Sequence, residues 1–104
     1  MAKDVFDINF REAGEGVALI AAERLNQIVL GFDSYHDDGP CNQNGELLEA
    51  ALYIADPSVN QFPASWSPTW KVHFDRKNES LVRLRIAGAL IAAEIDRQLR
   101  KARK

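Results

Sequence analysis

Three stretches of the chain repeat apolar residues at helical spacing. The first runs from Val17 to Leu30: Val17, Ala21, Arg24 and Ile28 form one row, and Ile20 and Leu25 widen its apolar side. Ala18, Ala21 and Ala22 are small enough to admit a neighbouring helix, and Gly31 suits the C′ position, where a left-handed backbone costs a glycine little. The second stretch runs from about Asn44 to Ala55, with Asn44 as N-cap, Glu46 complementing the helix dipole, and Leu47, Leu48, Ala51, Leu52 and Ile54 as the buried side. Asp56-Pro57 closes it, because a residue before proline avoids the helical region. The third and longest stretch runs from about Arg76 to about Lys101, with Asp75 or Asn78 as cap. Leu81, Leu84, Gly88, Ile91, Ile95 and Leu99 make one stripe, and Val82, Ile86, Ala89 and Ala93 another beside it. So broad a surface needs partners on two sides. Gly88 costs about 1 kcal/mol inside a helix, which points to a close crossing against Ala18, Ala21 or Ala22.

The pattern changes elsewhere. In Val5 to Phe10, Phe6, Ile8 and Phe10 alternate with Val5, Asp7 and Asn9, which is strand spacing. This segment could pair with Lys71 to Asp75, where Val72 and Phe74 also alternate with polar residues, or serve as an extended arm. Gly31 to Asn44 reads as a long polar loop with a turn at Gly39-Pro40, and residues 57–70, with three prolines, as a second. Phe62, Trp66 and Trp70 in that second loop either cap the open end of the helical core or offer a stacking platform to a ligand. The expected fold is therefore mostly α. It is one domain over residues 1–104: three helices with a long C-terminal one, two long loops, and a short two-stranded β ribbon or an arm over residues 1–12.

Composition adds limits. An apolar fraction of 46% and a charged fraction of 27% are ordinary for a globular domain. No apolar run reaches the roughly 20 residues of a membrane helix. The N-terminus lacks a signal-peptide core and Cys41 is the lone cysteine, so a cytoplasmic protein is expected. The net charge of −2 divides unevenly: residues 1–60 hold three basic and eleven acidic residues, residues 61–104 ten and four. The plainer reading is that the halves attract each other on folding. The basic tail at Arg97, Arg100, Lys101, Arg103 and Lys104 suits a helix C-terminus better than nucleic acid in so acidic a domain.

Four chemistries deserve weighing. Asp37, Asp38, Glu46 and Glu49, with Glu94, Asp96 and His36 nearby, could gather around Mg²⁺ or Mn²⁺; carboxylates are also common on solvated helix faces. Cys41 with His36 or His73 could form a nucleophilic pair, with nothing further to support it. Gly39 and Gly45 precede a helix N-terminus, but no phosphate-loop spacing exists, and the neighbouring acids repel phosphate. Last, Arg24, Tyr35, His36, Trp66, Trp70 and Lys71 are the mixed aromatic and polar types that line recognition sites. The candidate binding set is Arg24, Tyr35, His36, Asp37, Asp38, Glu46, Trp66, Trp70 and Lys71, with no cofactor required and Mg²⁺ as the metal alternative.

The ordered motifs Ala22-Glu23-Arg24, Gln27-Ile28, His36-Asp37-Asp38, Gly45-Glu46-Leu47, Trp70-Lys71 and Ala87 to Arg97 resemble a small family of proteins common in tailed phages and prophages. The resemblance spans roughly residues 20–97. It departs at Val72, where members carry proline after the Trp-Lys pair, and leaves out the N-terminal VFDINF. It implies a phage accessory setting in the host cytoplasm and carries no activity; together with a site-like loop that lacks a complete catalytic set, the expected function is non-enzymatic binding of a host protein or small ligand, directed against host defence. A looser similarity is to the all-α nucleotide pyrophosphohydrolases of the MazG type, which hold Mg²⁺ with an ExxE and an ExxD motif. Here Glu46 and Glu49 match the end of the first motif, but Gln43 replaces its leading acid and Glu94-Ile95-Asp96 has the wrong spacing for the second. A homodimer through the long helix is also expected, since its apolar face outruns the two shorter helices.

Overall fold

The computed structural model describes residues 10–103, and every regular element among them is helical. The order is α1 (Phe10–Ala13), α2 (Glu15–Val29), α3 (Ser34–Asp37), a 3-10 turn (Pro40–Asn42), α4 (Glu46–Ala55), α5 (Pro68–Asp75) and α6 (Ser80–Ala102). The three helices expected from periodicity are α2, α4 and α6, so the mostly α class stands as read. α6, about 35 Å long at the usual rise, packs against both α4 and α2.

The core lies mainly between α4 and α6. Leu47, Ala50, Ala51 and Ile54 from α4 meet Ile86, Ala87, Leu90 and Ala93 from α6, and all are buried. The alanines bring the two backbones close, and the leucines and isoleucines fill the space beside them. The expected close crossing at Gly88 is present, but its facing residue is Ile20 on α2: a Cβ at Gly88 would meet Ile20 Cδ1 at 2.6 Å. Phe62 and Trp66 pack on the same core from the loop after α4, as the capping reading anticipated.

Helix ends follow local chemistry. Gly31 at φ 106° closes α2 with a Schellman pair: Phe32 N–H donates to Gln27 C=O at 2.9 Å, and Gly31 N–H to Ile28 C=O at 3.1 Å. α4 begins at Glu46 with Gly45 as its cap, one residue later than the Asn44 cap expected. The expected start of α6 at Arg76 is also corrected; the helix starts at Ser80 after an extended Glu79, so neither Asp75 nor Asn78 caps it.

The proposed β ribbon is overturned by α5. Ser67 Oγ accepts the Thr69 N–H at 3.2 Å, and Pro68 takes the first helical position, where a missing N–H costs nothing. Lys71 to Asp75 is therefore helical, burying Phe74 and leaving Val72 exposed. Phe10 begins α1, and Val5–Asn9 lie outside the described residues.

Arg83 locks this end of the molecule. Its guanidinium donates to Ile54 C=O at 2.6 Å and to Phe74 and Lys77 C=O at 2.8 Å each. These carbonyls sit at or just past the ends of α4 and α5, where helical N–H donors run out; the Phe74 C=O also accepts the Lys77 N–H at 3.0 Å. Replacing Arg83 with Met is expected to lower stability by about 2–3 kcal/mol, because partly buried acceptors lose a charged donor. Arg83→Lys should recover only part of that, since an ammonium cannot fork across several carbonyls. Urea denaturation of the three proteins measures both effects.

Candidate functional site

The segment from Gly31 to Asn44 is folded, not an open loop. Asp33 caps α3 by accepting the His36 N–H at 3.1 Å. The short helix turns Asp37 and Asp38 in different directions. Asp37, only 1% exposed, accepts Arg24 Nη2 of α2 at 2.7 Å. The other arm of the same guanidinium holds the Phe32 C=O at 2.8 Å. Asp38 meets Arg100 of α6 in a two-pronged pair, at 3.0 and 2.8 Å. That partnership holds the Arg100 guanidinium still more firmly protonated than usual. His36 Nδ1 lies 3.3 Å from the second oxygen of Asp37.

Asn42 extends the frame to the tryptophan loop. Its Nδ2 donates to the His36 C=O at 3.1 Å, and its Oδ1 accepts Trp66 Nε1–H at 2.9 Å. Glu46 does similar work beneath: Oε1 accepts the Asn44 N–H at 2.6 Å, and Oε2 accepts Ser65 Oγ–H at 3.2 Å. Sequence reasoning missed Asn42, which carries no motif signal; its role appears only once α3 and Trp66 are brought together.

These contacts build an open cleft of about 510 Å³ between Phe32 and His36 on one side and Trp66 and Trp70 on the other, with Cys41 and Ser65 at its edge. Phe32 meets Trp70 edge-on at 4.6 Å between centroids and His36 at 4.9 Å. Trp70 stacks on Phe74 at 6.1 Å. The cleft is therefore aromatic, with an imidazole and a few hydroxyl and thiol groups along it. Such a surface holds flat or apolar groups and orients them through few polar contacts.

The candidate residues divide by this geometry. His36, Trp66 and Trp70 line the cleft; Arg24, Asp37, Asp38 and Glu46 support it from behind through their ion pairs and hydrogen bonds. Tyr35, 90% exposed, turns away to a separate shallow hollow with Ser34, Gly39 and Pro40. Lys71 stands apart too, paired with Asp75 at 2.8 Å and lying over the Tyr53 ring. Asp75 takes a second hydrogen bond from Tyr53 Oη at 2.7 Å, and the two donors hold its carboxyl below the ordinary range. Phe32, Cys41, Ser65, Ser67 and Pro68 also line the cleft and were missing from the expected set.

The gathering of carboxylates envisaged around a divalent ion does not form: among the described residues, no group of three or more His, Cys, Asp or Glu is placed to hold a metal. Asp37 of α3 and Asp38 at its C-cap go to different arginines, and Glu94 faces Arg97 on its own helix. That last pair is largely buried. Arg97 Nε and Nη2 bind the two Glu94 oxygens at 2.8 and 2.9 Å, and Gln98 Nε2 adds a third bond at 2.8 Å.

No family model, curated protein or solved structure matches the chain. The site is read from its geometry.

Two expected outcomes follow from the charges. Asp37→Ala leaves Arg24 uncompensated and is expected to cost about 3–5 kcal/mol; adding Arg24→Met should restore much of it, since an apolar pair leaves no unpaired buried charge. Chemical denaturation of single and double variants measures the difference. The Arg97 hydrogen bonds lower the Glu94 pKa below its ordinary 4.5. Its contribution to stability is thus complete above about that pH and disappears as pH falls through the lower folded value. Glu94→Gln should flatten that part of the acid-unfolding curve.

Proposed function

We propose that this chain is a non-enzymatic binding module that takes a small ligand, or an apolar side chain of a host protein, in the cleft formed by Phe32, His36, Trp66 and Trp70. One observation carries the reading. The acidic groups nearest the cleft are engaged by arginines, backbone N–H groups or Ser65, while the aromatic rings are the groups left facing the open space. The phage accessory setting, in the host cytoplasm and directed against host defence, rests on the sequence resemblance alone.

A homodimer belongs to the same proposal. Leu81, Leu84, Ile91, Ile95 and Leu99 are each 40–60% exposed and lie along one side of α6. A second copy offers the same stripe, which satisfies the self-complementarity of a two-fold interface. Among the described residues, no helix is long and apolar enough to cross a membrane, so the stripe is better matched to protein than to a bilayer core.

Thermal-shift and calorimetric screening with nucleotides, cyclic dinucleotides, Mg²⁺ and Mn²⁺ tests the binding reading. The expected result is a ligand-dependent shift without turnover, lost in Trp70→Ala while the variant still unfolds cooperatively. Metal-dependent hydrolysis of any nucleoside triphosphate overturns it. For the dimer, sedimentation equilibrium of Ile91→Lys is expected to show a monomer where the parent chain shows two copies.

A further inference from the structure

The cleft carries one polar group whose hydrogen-bonding sense is fixed by the protein behind it. His36 Nδ1 lies 3.3 Å from Asp37 Oδ1, while Asp37 Oδ2 receives Arg24 Nη2 at 2.7 Å. An aspartate paired with a guanidinium is an acceptor through both oxygens. The hydrogen in the Nδ1 contact therefore comes from the imidazole. A neutral imidazole carries one N–H, so Nε2 is left with its lone pair.

That lone pair is open to a ligand. The Asp37 side chain is only 1% exposed, but that of His36 is 40% exposed and lines the cleft. Among the described residues Nε2 has no hydrogen-bond partner, and it is not buried. The neighbouring polar groups are committed elsewhere or stay wet. Trp66 Nε1–H goes to Asn42, and the Ser65 hydroxyl lies 3.2 Å from both the Cys41 C=O and Glu46 Oε2. Cys41, Ser67 and Trp70 are exposed and can keep water as a partner. The cleft thus presents an aromatic surface with a fixed acceptor at His36.

We infer that the cleft takes the tryptophan side chain of a partner peptide, with the indole N–H donating to His36 Nε2. An indole has one donor and no acceptor, so this single bond satisfies it. A nucleobase would bring several donors and acceptors and leave most of them unpaired against the rings. The flat body of an indole suits edge-on and offset contacts with Phe32 and Trp70, and tryptophan is among the residues that most often anchor an interface. A cleft of about 510 Å³, open to solvent, leaves room for the chain that carries the ring. This inference rests on the cleft reading above and adds to it the partner residue and the group that selects it.

Two experiments on the full chain test it, the first without any ligand. Nitrogen NMR of histidine-labelled protein at alkaline pH, with His73→Gln assigning the signals, is expected to show His36 in the Nδ1–H form; the Nε2–H form overturns the inference. Calorimetry then compares N-acetyltryptophanamide with its benzothienyl analogue, in which sulfur replaces the indole N–H. The indole compound is expected to bind about tenfold more tightly, because the analogue leaves the acceptor unpaired, and to move the His36 Nε2 resonance. His36→Phe should remove that preference while still unfolding cooperatively, and Trp70→Ala should abolish binding of both. Equal binding of the two compounds, a preference that survives His36→Phe, or free indole binding more tightly than N-acetyltryptophanamide overturns the inference. If neither compound binds but a nucleotide gives a shift that Trp70→Ala removes, the inference falls and the cleft reading stands. If no ligand depends on Trp70, both fall. The comparison of compounds on the parent chain needs no variant, so it holds whether or not a variant folds.

Discussion

Two adjacent aspartates held by arginines from two different helices set the geometry of everything around the cleft. Neighbouring residues on a helix project about 100° apart. A single turn of helix can therefore send Asp37 to Arg24 on α2 and Asp38 to Arg100 on α6. The same Arg24 also grips the Phe32 carbonyl, fixing the entry to α3 as well as its body. Without these ties, a four-residue helix has too few internal hydrogen bonds to persist. With them, Phe32 and His36 are held at ring contact with one another, and Phe32 with Trp70.

Rigidity passes from there to the tryptophan loop by hydrogen bonds, not by regular structure. Asn42 joins the end of α3 to Trp66, and Glu46 joins the start of α4 to Ser65. Both residues are buried and satisfied, so displacing either leaves polar groups unpaired in a low-dielectric setting. Arg83 plays the matching part at the other end of α4 and α5. The arginines thus act mainly as internal fasteners. This explains how an acidic N-terminal half and a basic C-terminal half coexist: Arg100 meets Asp38 across the two halves.

The division between acids and aromatics shapes the functional reading. Carboxylates engaged by guanidinium groups and backbone N–H groups build the scaffold. The aromatic rings, with room beside them, form the recognition surface.

The amino-acid sequence determined α2, α4 and α6, because a wide apolar stripe at 3.6-residue spacing has few other ways to be buried. It also determined the glycine stop at Gly31 and the close approach at Gly88, where the absence of a side chain is itself the signal. The short elements were harder to read. The alternation in Lys71 to Asp75 resembled a strand, although the Ser67-Pro68 start of α5 was present as a local cue. α3 has no periodicity to detect, being only one turn long. The identity of the ion-pair partners was decided by tertiary structure alone, since His36-Asp37-Asp38 fits a metal site and a pair of arginine clasps equally well by residue type. The approach of Arg24 from α2, and of Arg100 from 62 residues further along the chain, selects between them, and spacing along a sequence carries no record of so distant a contact.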